Sequence, residues 1–551
     1  MARPGIFREL VRHFFGRFFD KESLSPQGDP AAGIIQTLGM LAAPSGIVSV
    51  LALVLTFQRW DLVGFRFLYI CYSMIAMGVV MVFEWDALFP DRRDYQILMP
   101  LPLRVFTLFM AKIAALGIFL SIFLAAVNFF GTFFWPSIET RGSALAIAGT
   151  HLLVMTTAGL FAALAIGALQ GLLVTVFRGA LYRKISVITQ TTVMAVLIML
   201  FFLSPMMGMS IPGLCRDNSP YLRWFPGFWF AGLYEQLRPV VSQGGHPAPA
   251  AFVLRGLGTL ALRGLSMVAA LFLLMFLPGY RRHARRLLEA PERNPKGPGP
   301  LWRWIRDLVD RHLLRDPVER GVFHFIDATI ARSVKHRLFL ATYGGFGAAL
   351  VVIMLASGGP SPRIPLMLSF ILISGLRAAF NFPAELRANW VFQVSETSSV
   401  AAYVRATRKW VMLHAILPLF VVLAAIQSTH APWTAVAFQF AYGMAASIVL
   451  TELIFLGFRK VPFTCSHFPG KLNLVFLSVL YCFGFTMYSG YMAGLETWLA
   501  GTPLAAALFF VAVAGGLAAL SRAQNRLLDG ANALEYEDPG NPTVRTLGLS
   551  Q

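Results

Sequence analysis

Apolar runs of about 20 residues, the length an α-helix needs to cross a bilayer, recur from one end of this chain to the other. That recurrence confines the fold more tightly than any motif does. Hydrocarbon offers no partner for backbone N–H and C=O groups, so each crossing segment must satisfy its own, as an α-helix can. Composition agrees: of 551 residues, 57% are hydrophobic and 13% charged, about half the charged fraction of a soluble domain. The reading is an all-α, polytopic helical membrane protein. Spans are predicted at 34–57, 62–83, 113–134, 144–177, 185–209, 257–277, 338–357, 365–382, 411–428, 434–458, 472–490 and 503–520.

The formal net charge is +19, which in a soluble chain would suggest nucleic acid. Here the basic residues sort by side. With the N-terminus inside, the inner segments hold 36 of the 46 Lys and Arg residues and the outer loops 7, with Arg66, Arg263 and Arg377 inside spans. Cytoplasmic loops of membrane proteins accumulate such residues. Both termini are therefore expected in the cytoplasm, the chain in the cell's inner (plasma) membrane, and lipid rather than nucleic acid as the charged partner. Cys71, Cys215, Cys465 and Cys482 are scattered without a CxxC and support neither a metal site nor a disulfide framework.

Residues 1–20 alternate Ile6, Phe7, Leu10, Val11, Phe14, Phe15, Phe18 and Phe19 with Arg3, Arg8, Arg12, His13 and Arg17. That is the pattern of a helix lying in the membrane interface. A cleaved signal peptide fits less well, because no continuous apolar core or small-residue cleavage site is present. A second basic amphipathic stretch (Trp302, Ile305, Leu308, Val309) precedes span seven. The expected domains are a first six-span half at 1–290, a Pro/Gly-rich linker at 291–300, a second half at 301–520 and a tail at 521–551. The halves read as a parallel repeat: Phe89-Pro90 closes span two, Phe382-Pro383 closes span eight, and a charged, aromatic elbow follows each.

The first elbow is the densest segment of the chain. Pro90 stops the preceding run, Asp91, Arg92, Arg93 and Asp94 place four charges beside hydrocarbon, and Pro100 and Pro102 stiffen the exit toward Lys112. The second elbow runs AELRANWVFQV toward Arg405, Arg408 and Lys409. The aromatic stretch RWFPGFWFAGLYEQL in the largest outer loop suits the aromatic belt at a membrane boundary.

Catalytic signatures are missing. There is no GxxxxGK[ST] phosphate loop, HExxH or GxSxG, so no enzymatic activity, metal or cofactor is expected of this chain. Ionisable groups inside spans need partners. Arg377 and Glu452 lie at matching depths, roughly 8–10 Å from their span ends at 1.5 Å per residue, and are expected to pair. By the repeat, Glu84 takes the place of Arg377 and Gln170 that of Glu452. Such a pair staples two helices or takes part in transport.

Together these pieces resemble the membrane subunits of type-2 ATP-binding-cassette exporters. The resemblance rests on the basic helix before span one, six spans per half, the elbow FPDRRDYQILMPLPLR and the loop FPGFWFAGLYEQL before span six. The second half joins it through RANWVFQV and KVPFTCSHFPGK. It departs in fusing two halves that are commonly separate chains, and its second elbow lacks the acid–Tyr and Pro-Leu-Pro elements. The resemblance implies a permease driven by a P-loop ATPase bound in trans. It places docking on Asp91, Arg92, Arg93, Asp94 and Tyr95, and by the repeat on Arg387, Asn389 and Trp390. Two other classes compete: an ion- or proton-coupled transporter using Glu84, Arg377 and Glu452, and a membrane scaffold without a conduit.

Overall fold

The computed structural model describes residues 4–19, 38–39, 42–50, 54, 62–89, 105–139, 142–177, 179–238, 249–289, 300–358, 361–385, 389–394, 400–465, 474–529 and 534. The described elements are all helical, and nine of the described helices are long and apolar enough to cross a membrane. The chain is a polytopic helical membrane protein. It forms two units, Met1–Asn294 and Pro295–Gln551.

The first unit comprises α1 (Pro4–Phe19), α2 (Leu62–Phe83), α3 (Val105–Ile138), α4 (Ala144–Val176), α5 (Gly179–Arg216), α6 (Pro226–Leu237), α7 (Pro249–Arg255) and α8 (Gly258–Glu289). Helix α2 is buried along most of its length, as a central helix is, and α3, α4, α5 and α6 pack around it. Span one was expected at 34–57, of which only 38–39, 42–50 and 54 are described; 42–50 is helical. Helix α3 begins eight residues before the predicted start at 113 and takes in Lys112. Lys112 therefore does not end the elbow. Its ammonium is buried, 5.5 Å from the Phe14 ring centroid, a cation–π contact that lets a charge sit inside a helix pair. Leu10 and Phe14 are buried on that side of α1, while Ile6 and Phe7 stay exposed.

The aromatic stretch expected at the membrane boundary does something else. Trp224 is 80% exposed, but Phe228, Phe230 and Tyr234 turn inward, and α6 folds back to lie against α2, α4, α7 and α8. Short helices can enter a membrane bundle only where protein, not lipid, surrounds their ends. Gly232 makes the return possible. A Cβ there would collide with the Leu254 carbonyl and the Gly258 nitrogen, both backbone atoms.

The second unit comprises α9 (Pro300–His312), α10 (Pro317–Arg332), α11 (Val334–Gly358), α12 (Arg363–Ala379), α13 (Trp390–Val394), α14 (Val400–Val411), α15 (Leu417–Gln427), α16 (Trp433–Ile454), α17 (Leu474–Ala500) and α18 (Pro503–Asp529). Asp316 caps α10, accepting from Val318 N at 2.9 Å, with Pro317 at the first helical position. Helix α14 continues into α15 through a π-helical turn, Met412–Ile416. Arg405, Arg408 and Lys409 thus lie within a helical run from Val400 to Gln427 and do not precede a span starting at 411. Helix α12 has 17 residues and ends at Ala379, with Phe380 as its C-cap, four residues before Pro383. It packs against α11, α16 and α17.

Substituting Gly232→Ala is expected to cost about 1–3 kcal/mol, the usual penalty for overpacking, because backbone atoms cannot move aside. Gly149→Ala, where the added methyl meets nothing within 4 Å, should leave stability equal or slightly higher. Thermal unfolding of the two variants in detergent checks the contrast.

Candidate functional site

At the Leu62 end of α2 the first unit buries an ion-pair network. Arg66 is 2% exposed, and its guanidinium meets Glu139 Oε1 at 2.9 Å and Glu235 Oε1 more closely still. Glu139 follows the last turn of α3, and Glu235 projects from the returning helix α6. Arg238, at the C-cap of α6, adds a second guanidinium, with Nε 2.6 Å from Glu139 Oε1 and Nη1 3.9 Å from Glu235 Oε2. Two cations and two anions leave the group neutral. Aromatic rings complete the enclosure. The Arg66 guanidinium lies 5.1 Å from the Tyr234 ring and 5.8 Å from the Trp135 ring, and Trp135 Nε1 donates to Glu139 Oε2 at 3.0 Å.

A second layer holds those rings. His151 of α4 stacks on Trp135 with centroids 5.3 Å apart, and its Nδ1 lies 3.4 Å from the Tyr234 hydroxyl. Tyr69 packs edge-on against both Trp135 and His151, and its hydroxyl lies 2.6 Å from Ser49 Oγ. Sequence reasoning noted Arg66 as a cation inside a span but sought no partner. The signal was present, because a charge inside a span demands an opposite one. Glu139 and Glu235 lie outside the predicted spans, where residue type alone does not mark them as the partners of Arg66.

At the Phe83 end, one carbonyl of the last turn of α2 and one of the 3-10 turn that follows it, Trp85–Leu88, are taken up by two glutamines. Gln190 donates to Val82 O at 3.0 Å and Gln170 to Trp85 O. Trp85 in turn donates to Ser186 Oγ at 2.9 Å. Glu84 is buried beside this cap. The repeat-derived pairing thus brings Gln170 to the residue next to Glu84, where it bonds to backbone.

In the second unit the expected Arg377–Glu452 pair does not form. Glu452 Oε2 accepts from Arg408 Nη1 at 2.6 Å, because α14 begins at Val400 and carries Arg408 alongside α16. Arg377 donates to Asn381 Oδ1 at 2.9 Å and lies 4.6 Å from the Phe458 ring and 5.7 Å from the Phe455 ring. Glu319 of α10 meets Arg405 at 2.7 Å and Lys409 at 2.5 Å, which ties α10 to α14.

Of the residues expected to dock a partner, Asp91, Arg92, Arg93, Asp94, Tyr95 and Arg387 lie outside the described residues. Asn389 and Trp390 separate into two roles. Asn389 is buried and its Nδ2 donates to Thr464 O at 2.6 Å. Trp390 is 63% exposed, and Val391 and Val394 of the same short helix are exposed with it. Among the described residues no group of three or more His, Cys, Asp or Glu side chains is arranged to hold a metal ion. No family model, curated protein or solved structure matches this chain.

Removing one member of a buried ion pair strands the other, at about 3–5 kcal/mol. Arg66→Met should therefore lower unfolding stability in mixed micelles by that order. The double variant Arg66→Met, Glu139→Gln, which leaves Arg238 to answer Glu235, should recover most of the loss. Arg263→Met, at an exposed position of α8, should change stability by no more than about 0.5 kcal/mol.

Proposed function

We propose that this chain is the permease component of an ATP-driven exporter, powered by a separate P-loop ATPase that docks on its cytoplasmic elbows. Both termini are then cytoplasmic, as the distribution of Lys and Arg favours, and the two units correspond to the two six-span halves. The observation that carries the proposal is how the second elbow is built. Helix α13 presents Trp390, Val391 and Val394 to its surroundings, while its base is fastened to the segment that follows α16 and, through that segment, to the C-cap of α12. Asn389 bonds to Thr464 O. Phe463 N donates to Phe380 O at 3.0 Å and Ala384 N to Phe463 O at 2.9 Å.

Phe463 has φ +67°, a left-handed conformation that costs a bulky residue about 1–3 kcal/mol. Neighbours hold it there. Besides the two backbone bonds, its ring packs edge-on against His336 at 4.5 Å and Phe380 at 5.3 Å. Phe380 in turn meets Phe455 at 6.0 Å and Trp410 at 6.3 Å. A load applied to Trp390 therefore passes to α12, α16 and α14 together. Stiffness of this kind suits a partner whose ATP-bound and ATP-free states differ in contact, since only differential contact shifts a population.

The ion-coupled alternative draws less support. Glu452 is engaged by Arg408 at 2.6 Å and does not meet Arg377, the partner that reading calls for.

The test is purification of the full chain in mild detergent from its native host, followed by assay of the co-eluting ATPase. Trp390→Ala is expected to reduce the bound ATPase at least tenfold, about 1.4 kcal/mol, in keeping with an interfacial tryptophan anchor. Asp94→Ala with Tyr95→Ala should do the same at the first elbow, and Trp433→Ala, an exposed tryptophan at the start of α16, should not. Full retention of partner and coupled hydrolysis in the triple Asp94, Tyr95 and Trp390 variant would overturn the assignment.

A further inference from the structure

Arg66, Arg405 and Arg408 each meet a carboxylate. Among the described residues no carboxylate is in ion-pair contact with Arg377. An amide oxygen and two ring faces orient its guanidinium but do not cancel its charge. Its position on α12 is informative. Phe370 packs on Tyr481, Phe485 and Tyr488 of α17, and Arg377, seven residues on, lies two turns further along the same face. Between them Ser374 is buried, and its hydroxyl has no hydrogen-bond partner among the described residues. A cation without a counter-ion and a hydroxyl without a partner thus sit one turn apart on the side of α12 that faces α17.

The same contact carries polar groups away from Arg377. Tyr481 is near enough to interact electrostatically with it. Ser369 Oγ lies 3.2 Å from the Tyr488 hydroxyl, and the Tyr442 hydroxyl of α16 donates to Met492 O at 2.8 Å. From Tyr481 to Met492, α17 rises about 16 Å. Polar side chains buried among spanning helices mark substrate paths more often than lipid contacts. Here the walls between them are aromatic.

We infer that Arg377 is the anion-recognition residue of a cargo site along the contact of α12 with α16 and α17, taking an amphiphile with an oxyanion head, phosphate or carboxylate. The inference rests on the reading of this chain as a permease and names the class of cargo. The guanidinium fork matches either oxyanion with two parallel N–H donors, Ser374 adds a hydroxyl, and the apolar body of the cargo lies along the tyrosine and phenylalanine face.

The experiment uses the purified full chain in phosphatidylcholine nanodiscs, without ATPase, and radiolabelled dodecyl phosphate, dodecanoate and dodecyltrimethylammonium. Saturable binding of dodecyl phosphate or dodecanoate, and none of the ammonium probe, is expected; whichever of the two binds more tightly identifies the head group. Arg377→Gln should weaken binding tenfold or more. Arg377→Lys, which keeps the charge and loses the fork, should fall between, and Arg263→Gln should bind as the unaltered chain does. Unchanged affinity in Arg377→Gln, equal binding of the ammonium probe, or no saturable binding by the folded unaltered chain overturns the site. Competition by inorganic phosphate at the same concentration as dodecyl phosphate overturns its amphiphile character. Should Arg377→Gln fail to fold, unchanged affinity in both Arg377→Lys and Ser374→Ala overturns the site equally. Because no ATPase is present, a negative result with an ATPase still co-eluting in the docking experiment removes the cargo site alone. Loss of elbow docking with binding intact removes the drive mechanism alone.

Discussion

A guanidinium packed among apolar helices stays there only if its charge is answered, and in the first unit the answer organises the architecture. Arg66 cannot reach water, so Glu139 and Glu235 must reach Arg66. Glu235 can do so only because α6 folds back against α2, and the fold back is possible only because Gly232 lets two backbones touch. Arg238 then offsets the second carboxylate, and Trp135, Tyr234 and His151 close the group off. Each step depends on the one before it. A buried ion pair is weak evidence of net stabilisation, but a strong device for fixing which segments meet. Here it sets the register of three segments, separated by 73 and 96 residues of sequence, at one end of α2.

The second unit handles its charges differently, and the difference explains its shape. Among the described residues, Glu319 of α10 and Glu452 of α16 are both answered by bases gathered on a single helix, α14. That helix changes to a π-helical turn immediately after its last basic residues, at Met412–Ile416, with Trp410 stacked on His414 at 5.1 Å and 5°. Such turns release one backbone bond from the regular ladder and are frequent at functional positions. The ionic end of the Val400–Gln427 run is thus clamped to its neighbours, and the irregular turn separates that clamp from the apolar remainder.

What the residues disclosed in advance, and what they did not, follows from the range over which each signal acts. Hydropathy is local. The segments Ala144–Val176 and Pro503–Asp529 begin at the predicted residues, since a long apolar run next to a polar one needs no tertiary knowledge. Charge inside a helix is not local. Lys112 and Arg408 were read as span boundaries because a lone cation looks like an end. Each is instead the middle of a helix whose compensating group lies far off in sequence: Phe14 for Lys112, Glu452 for Arg408. Phe228, Phe230 and Tyr234 failed for a related reason, because an aromatic run suits a membrane boundary and a buried hairpin equally well. Only the partner of Glu235 decides between them. Asn389 and Trp390, adjacent in sequence, were assigned one role; burial of the first and exposure of the second could not be read from residue type.

Compensation also gives the exception its meaning. Evolution of a membrane bundle removes an unanswered charge cheaply, by substitution with leucine or methionine, and such substitutions often stabilise. A cation with no carboxylate in ion-pair contact among the described residues, in the same unit where Glu319 and Glu452 are engaged, is not a packing solution, since its described partners are an amide, two ring faces and the nearby Tyr481. Those contacts hold the fork in one orientation and leave its charge available. That is the arrangement a transient anionic guest requires: a resident carboxylate would neutralise the site permanently and compete with the guest, whereas aromatic faces position the cation without displacing it. Proximity to the elbow adds to the argument. Phe455, one of the two rings beneath Arg377, also touches Phe380, whose carbonyl is bonded to Phe463. The groups that position the guanidinium are therefore the groups through which a load on α13 would travel, and on the reading proposed above movement of the elbow would change the affinity of the proposed anion site.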